Sequence, residues 1–150
     1  MPDPAPKQPR TDAPPRAGGR PAPELARLAI DAILDKKGRE VAVLDLRGIS
    51  GVADLFVIAT SDSDVQTRAI AESVQQKIRE EANERPWKKE GLDSLKWVLL
   101  DYVDVVVHVF DEEKRAYYDL ERLWGDAPSE DVPDGYARID LLDYTPDPSA

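Results

Sequence analysis

The chain has 150 residues, no cysteine, 13 prolines and a formal net charge of −10. Without cysteine it can hold no disulfide framework, no thiolate zinc site and no cysteine nucleophile. The acidic balance disfavours naked nucleic acid, where affinity comes largely from Lys and Arg neutralising phosphates, and suits a basic protein partner. No apolar run reaches membrane-spanning length and the amino terminus lacks the hydrophobic stretch of a secretory signal. The expectation is a soluble, cytoplasmic protein with no membrane partner and no direct sequence-specific contact to nucleic acid.

Composition divides the chain into three parts. Eight of the prolines lie in residues 1–23 together with Gly18-Gly19, and Met1 is the only large apolar residue there. Such a segment cannot bury enough apolar surface to offset its backbone entropy, so residues 1–22 are expected to be a disordered tail. Residues 126–150 hold seven Asp and Glu against one Arg, with four more prolines, and read as an acidic, mobile tail. Between them, residues 23–125 suit one small domain.

The first element is a helix from Pro23 to a stop at Gly38, with Leu25, Leu28, Ala29, Ala32 and Ile33 on one face. Val41–Leu46 follows as a short apolar strand, and Leu55–Thr60 as a second, continuous enough to be central. Ser63 with Gln66 three residues on fits a capping box, opening a helix that runs to about Asn83. Trp87–Gly91 reads as a short edge strand. Trp97–Leu100 and Val105–Phe110, rich in β-branched and aromatic residues, read as strands joined by Asp101-Tyr-Val-Asp104 as a hairpin, with the first strand in the sheet interior. A last helix is expected over Asp111–Trp124, with Ala116, Leu120, Leu123 and Trp124 buried and Tyr117 beside them. The order implies an α/β layered (mixed α+β) single domain, with a mixed sheet of four to five strands flanked by helices.

Signals for chemistry are weak. Asp62-x-Asp64 lies where a strand gives way to a helix, and two carboxylates at that spacing could hold Mg²⁺ for nucleotidyl transfer, an alternative function for the chain. No glycine or lysine accompanies them to receive phosphates, so capping of the helix amino end is the better reading. Asp101, Asp104 and His108 lack the second histidine of a familiar metal set. His108, the single histidine, inside an apolar strand, reads as hydrogen-bonded core. No catalytic, cofactor or metal residue is assigned. Trp97 and Trp124 read as core on residue chemistry alone, although Trp97, next to charged Lys96, also suits an interface anchor. A general protein-binding module is a further alternative.

Four stretches, in order and spaced alike, resemble the ribosomal silencing factor family, also called Iojap-like or RsfS. They are Asp54-Leu-Phe-Val-Ile-Ala-Thr60, Arg68-Ala-Ile-Ala-Glu72, Trp97-Val-Leu-Leu-Asp-Tyr102 with Asp104-Val-Val-Val-His-Val-Phe110, and Tyr117-Tyr-Asp-Leu-Glu-Arg-Leu-Trp124. The resemblance covers residues 25–124. It implies a nucleotidyltransferase-like fold without that activity, and a translation repressor that binds the large ribosomal subunit through ribosomal protein L-fourteen, blocking subunit joining in stationary phase or nutrient limitation. It also implies a homodimer when free. Carried over by motif, the partner-binding residues are Trp97, Leu99, Asp101, Tyr102 and His108. Trp97, Leu99 and Asp101 are expected on one partly exposed strand face, with Tyr102 and His108 on the opposite register or beyond the turn. Lys96 stands where the family usually has an acidic residue, Val103 replaces the usual turn glycine, and Ser61-Asp62 replaces a common Thr-Gly step. Valine disfavours positive φ, so the hairpin turn is expected to differ locally from the family's.

Overall fold

The structure, a computed structural model, describes residues 19–49, 51 and 53–143. In chain order the elements are α1 (Ala22–Asp35), β1 (Arg39–Asp45), β2 (Leu55–Ser61), α2 (Asp64–Ala82), β3 (Lys88–Glu90), β4 (Trp97–Asp101), β5 (Val105–Asp111), α3 (Glu112–Tyr118), α4 (Leu120–Leu123), β6 (Ser129–Asp131) and α5 (Asp140–Asp143). The six strands form one mixed sheet in the order β3-β4-β5-β2-β1-β6. β2 and β5 pair in parallel at its centre, and every other pair is antiparallel. The expected mixed sheet flanked by helices is present, with β4 interior and β3 a short edge strand.

Each long helix ends for a local reason. Beyond α1, Lys37 takes a left-handed φ of 66°, Lys37 N–H donates to the Leu34 carbonyl (3.0 Å) and Gly38 N–H to the Ile33 carbonyl (2.9 Å). That is a Schellman closure, one residue earlier than the glycine alone suggests. Gly38 is needed for space, since a Cβ there would lie 2.4 Å from Ile33 Cγ2. At α2, Ser63 Oγ accepts from Gln66 N–H (3.1 Å), while the Gln66 side chain reaches past Ser63 to accept from Asp62 N–H (2.6 Å). The same side-chain amide donates to the carbonyls of Lys36 (3.0 Å) and Lys37 (2.9 Å), tying the start of α2 to the end of α1. Asn83, left-handed at φ 53°, closes α2.

The two helices lie together on one face of the sheet. There Leu25, Ala29, Ile30 and Ile33 of α1 and Ile70, Val74 and Ile78 of α2 bury against Val43, Val57, Val98, Leu100 and Val107. The opposite face carries Leu44, Phe56, Ile58, Trp97 and Phe110 under Leu120 and Trp124.

Two expectations fail at the carboxyl end. The single helix over Asp111–Trp124 is broken at Asp119, whose φ of 46° is left-handed, leaving α3 and α4. Aspartate tolerates that conformation better than most residues, so nothing in the apolar spacing announces the break. Tyr117 is 77% exposed and Ala116 lies outside, while Tyr118 packs inward onto Trp97. The second concerns the acidic segment from residue 126, which was expected to be mobile. Through Asp143 it is a packed part of the domain: β6 extends the sheet to six strands on β1, and Ile139 and Leu142 of the α5 turn are buried against α1. Its apolar contacts, Ile139 and Leu142 with Val132, Tyr136 and Leu141 beside them, are too scattered to stand out among the charges. Residues 1–18 of the proline-rich segment and 144–150 lie outside the described residues; Arg20 N–H donates to Glu84 (3.0 Å) and Ala22 already begins α1.

Candidate functional site

β4 and β5 bring most of the motif residues together. In an antiparallel ladder Leu99 lies opposite His108, Trp97 opposite Phe110 and Asp101 opposite Val106. Residues two apart share a face, so Trp97, Leu99, Asp101 and His108 all belong to the second, aromatic face, and Tyr102 points into the aliphatic core on the other side. His108 is therefore not on the opposite register from Trp97, as expected, but its neighbour. Trp97 Nε1–H donates to His108 Nδ1 (3.1 Å). The Trp97 ring stacks on Phe110 (4.8 Å between centroids) and packs on Tyr118 (4.5 Å), while Phe56 meets His108 edge-on at 4.6 Å.

That packing overturns the picture of Trp97 as a partly exposed anchor in the free chain. Trp97 and His108 are 0% exposed, Tyr102 2% and Asp101 4%; of the five carried-over residues only Leu99 reaches solvent. Tyr118, at the end of α3, lies over the indole. The tyrosine that the helical pattern placed beside the core is Tyr117, one residue off; the pattern was read as one continuous helix, whereas α3 and α4 present separate inward faces.

The buried polar groups are held in defined states. His108 Nδ1 accepts from Trp97, so the neutral ring carries its proton on Nε2, which finds no acceptor among the described residues. Burial pushes the His108 pKa down to about 3, so the ring is neutral at physiological pH. Burial, with the Glu84 charge added, raises the Tyr102 phenol above its ordinary value. Asp101 Oδ1 accepts from Val103 N–H (2.8 Å) and organises the hairpin turn. Asp104 N–H donates to the Tyr102 carbonyl (2.9 Å) around Val103, which takes a φ of +74°. This is the strained kind of γ-turn, held in spite of the valine.

The paired carboxylates at the end of β2 do not converge on a common point. Asp62 binds Arg39 (Oδ1 to Nε, 2.8 Å) and Asp64 binds Lys96 (Oδ1 to Nζ, 2.9 Å), and these hydrogen bonds are the leading cause of the raised pKa of each cation. Among the described residues no group of three His, Cys, Asp or Glu side chains is placed to hold a metal ion. The capping reading of Ser63 is seen directly. Beside the aromatic face, a groove of about 570 Å³ is lined by Glu40, Glu112, Asp119, Glu121 and Asp131, with Arg115 committed to Thr60 Oγ1 (3.0 Å) and Glu121 (2.8 Å). Leu99, Tyr118 and Leu123 pack only partly buried over the aromatic core and Tyr117 is exposed, so this face offers apolar contact to a protein rather than a cleft for a small substrate. Among the described residues no helix is long and apolar enough to cross a membrane.

Comparison with known proteins extends this reading. The family described as "Ribosomal silencing factor during starvation" matches residues 20–146. Ribosomal silencing factor RsfS of Halalkalibacterium halodurans is 46% identical over 106 residues, spanning 71% of this chain and 90% of the relative. Its namesake from Bacillus subtilis is 45% identical over 111 residues, 72% of this chain and 91% of that one. A crystal structure of a Chromobacterium violaceum protein superposes with a TM-score of 0.67 at 40% identity, covering 71% of this chain and 88% of the other.

Proposed function

The chain belongs to the ribosomal silencing factor family, and from that premise we propose that it represses translation by binding the large ribosomal subunit through ribosomal protein L-fourteen and blocking its association with the small subunit, in stationary phase or nutrient limitation. The observation that carries the reading is the family match over residues 20–146, which takes in the whole packed domain. Steric blocking needs a rigid body with one adhesive face and no chemistry. The two carboxylates that would be needed for nucleotidyl transfer are each engaged by a separate cation, which favours a binding role over an enzymatic one.

In this proposal the docking face is the apolar surface over β4 and α3–α4. Leu99 makes direct contact, with Tyr118 and Leu123 beside it. Trp97, Asp101 and His108 sit beneath and set the shape of that surface, and Tyr102 holds β4 from the other side. An acidic protein approaching a basic ribosomal protein gains rate and orientation from charge, while the apolar centre supplies most of the affinity. Association in the cytoplasm follows, as does self-association of the free chain, for which sedimentation equilibrium is the direct measurement.

The test is sucrose-gradient sedimentation of separated subunits with the intact chain and with Leu99→Asp. Co-migration with the large subunit and loss of joined ribosomes are expected, both weakened about tenfold or more by Leu99→Asp, the effect of a charge in an apolar contact. Failure to co-migrate at low salt would remove the ribosomal reading.

A further inference from the structure

The three apolar side chains of the proposed docking face come from three elements: Leu99 from β4, Tyr118 from the end of α3 and Leu123 from α4. Apolar contact alone does little to fix them relative to one another. α3 buries no residue fully, and left-handed Asp119 interrupts the helix between Tyr118 and Leu123. The start of α3 is secured by Asp111, whose carboxylate accepts from Lys114 N–H (2.7 Å) and whose N–H donates to the Lys96 carbonyl (3.0 Å). Beyond the break, Leu120 and Trp124 are buried. Between these two anchors the chain is fastened by Arg115.

The Arg115 side chain is only 12% exposed, low for an arginine. Its Nη1 donates to the Glu40 carbonyl of β1 and to Thr60 Oγ1 of β2 (3.0 Å), and its Nη2 donates to Glu121 Oε2 of α4 (2.8 Å). Its own carbonyl accepts from Asp119 N–H (2.9 Å), the bond that closes α3. One residue therefore ends α3, reaches across the break to α4 and holds both to two strands. The planar guanidinium suits this task, since its donors point in several fixed directions, where a lysine offers a single point. Both acceptors on the sheet are specially placed. Thr60 follows Phe56 and Ile58 at every second position, on the aromatic face, and is 1% exposed. Glu40 lies where the register of β1 on β2 is irregular, between Arg39 and Ala42, and takes a φ of 51°. Such irregularities re-aim groups at the rim of a sheet, and strain in a residue with a side chain persists only where its surroundings hold it. Here the Glu40 carbonyl, outside the paired register, meets Arg115.

We propose that Arg115 is a positioning residue for docking: by bracing α3 and α4 against β1 and β2 it fixes Tyr118 and Leu123 beside Leu99, and it acts through them rather than by contact with the partner. This rests on the docking reading of the Leu99 face. A surface already ordered before binding spends less of its contact energy on ordering, so loosening the brace weakens binding while the domain stays folded.

The experiment titrates large ribosomal subunits with the full chain, measures the bound fraction by sedimentation, and refers it to folded chain measured by circular dichroism. Arg115→Lys, which keeps the charge and loses the fork, should weaken binding per folded chain about fivefold to tenfold, the scale for a residue that acts without touching the partner. In the same variant the amides of Leu123 and Trp124 should exchange with solvent faster, and those of Ile70 and Val74 in α2 should not change. Thr60→Ser keeps the acceptor and should bind as the unaltered chain does. Thr60→Val, which differs from threonine by the hydroxyl alone, should show part of the Arg115→Lys loss. A role in stability alone would lower the folded fraction and leave binding per folded chain unchanged, and that result would overturn the proposal. So would equal binding by Thr60→Ser and Thr60→Val. Leu99→Asp in the same titration reports on the face itself. If it binds like the unaltered chain, the docking reading has failed and the role of Arg115 with it; if it is weakened while Arg115→Lys is not, only the role of Arg115 has failed.

Discussion

The two faces of the sheet are closed by different means. On the first, two long amphipathic helices lay aliphatic side chains over aliphatic strands, and the seal comes from area. On the second, α3 buries no residue fully and α4 is a single turn; the seal comes from rings, with Trp97, Phe110, Tyr118, Phe56 and Trp124 packed around one buried histidine. A face held by shape should tolerate truncation far less than one held by area. β4 allows the comparison at adjacent residues, since Trp97 faces the rings and Val98 the aliphatic layer. Trp97→Ala should cost about 3–5 kcal/mol, and Val98→Ala about 2 kcal/mol, two buried methyl groups' worth. Urea unfolding of both variants decides it; equal losses would mean that the rings pack no more tightly than the valines. It also follows that Trp97→Ala would weaken ribosome binding through the fold, which is why Leu99→Asp is the sharper functional probe.

His108 gives the second difference a pH signature. Burial holds its folded pKa near 3 against an ordinary 6.5. Below that ordinary value the unfolded chain binds a proton that the folded chain refuses, so stability is complete above about pH 6.5 and falls as the pH drops toward 3. The full slope for one proton is about 1.4 kcal/mol per pH unit. Between about pH 7.5 and about pH 5 the intact chain should lose about 2 kcal/mol that His108→Gln does not lose. Parallel curves for the two proteins would mean that the ring reaches solvent.

Val103 is the third point of contrast, at the corner where β4 turns into β5. A β-branched residue at φ +74° is strained, and Val103→Gly should raise stability by about 1 kcal/mol, the relief of strain exceeding the extra freedom of glycine in the unfolded chain. A fall in the melting temperature would show that the Val103 side chain contributes more than its backbone costs.

How far each face was legible follows from the same distinction. Helices at 3.6-residue spacing over apolar strands write their contacts into the sequence, so α1, α2, β2 and the β4–β5 hairpin fall close to where periodicity puts them. The aromatic face depends on one backbone exception. Asp119 splits the expected helix, so α3 sets Tyr118 rather than Tyr117 over Trp97 while α4 buries Leu120 separately; nothing in the spacing of Ala116, Leu120 and Leu123 foretells it. The proposed docking residues come only from the resemblance, and of the five only Leu99 reaches solvent, while Trp97, Asp101, Tyr102 and His108 are buried. The segment of residues 128–143 was hidden for another reason: scattered apolar residues among acidic ones look like a tail by composition, and only pairing with β1 gives it a place.

The smallest effect belongs to that segment, where the first face is held by an ion pair in addition to area. Asp143 accepts from Arg27 of α1 and from Ile139 N–H (3.0 Å), and the Arg27 hydrogen bond is the main reason its carboxyl sits below the ordinary 3.8. With the folded pKa depressed, the contribution is complete above about pH 3.8 and is lost as the pH falls through the lower folded value. At neutral pH, Asp143→Asn should speed exchange of the Leu142 amide a few-fold and leave the amides of α1 and β2 unchanged, since a solvent-accessible pair contributes little to global stability. Faster exchange in α1 as well would show that the ion pair, and not the apolar area beneath it, fixes the helix on the sheet; no change at Leu142 would show that the apolar packing of Ile139 and Leu142 and the remaining hydrogen bonds hold α5 without the ion pair.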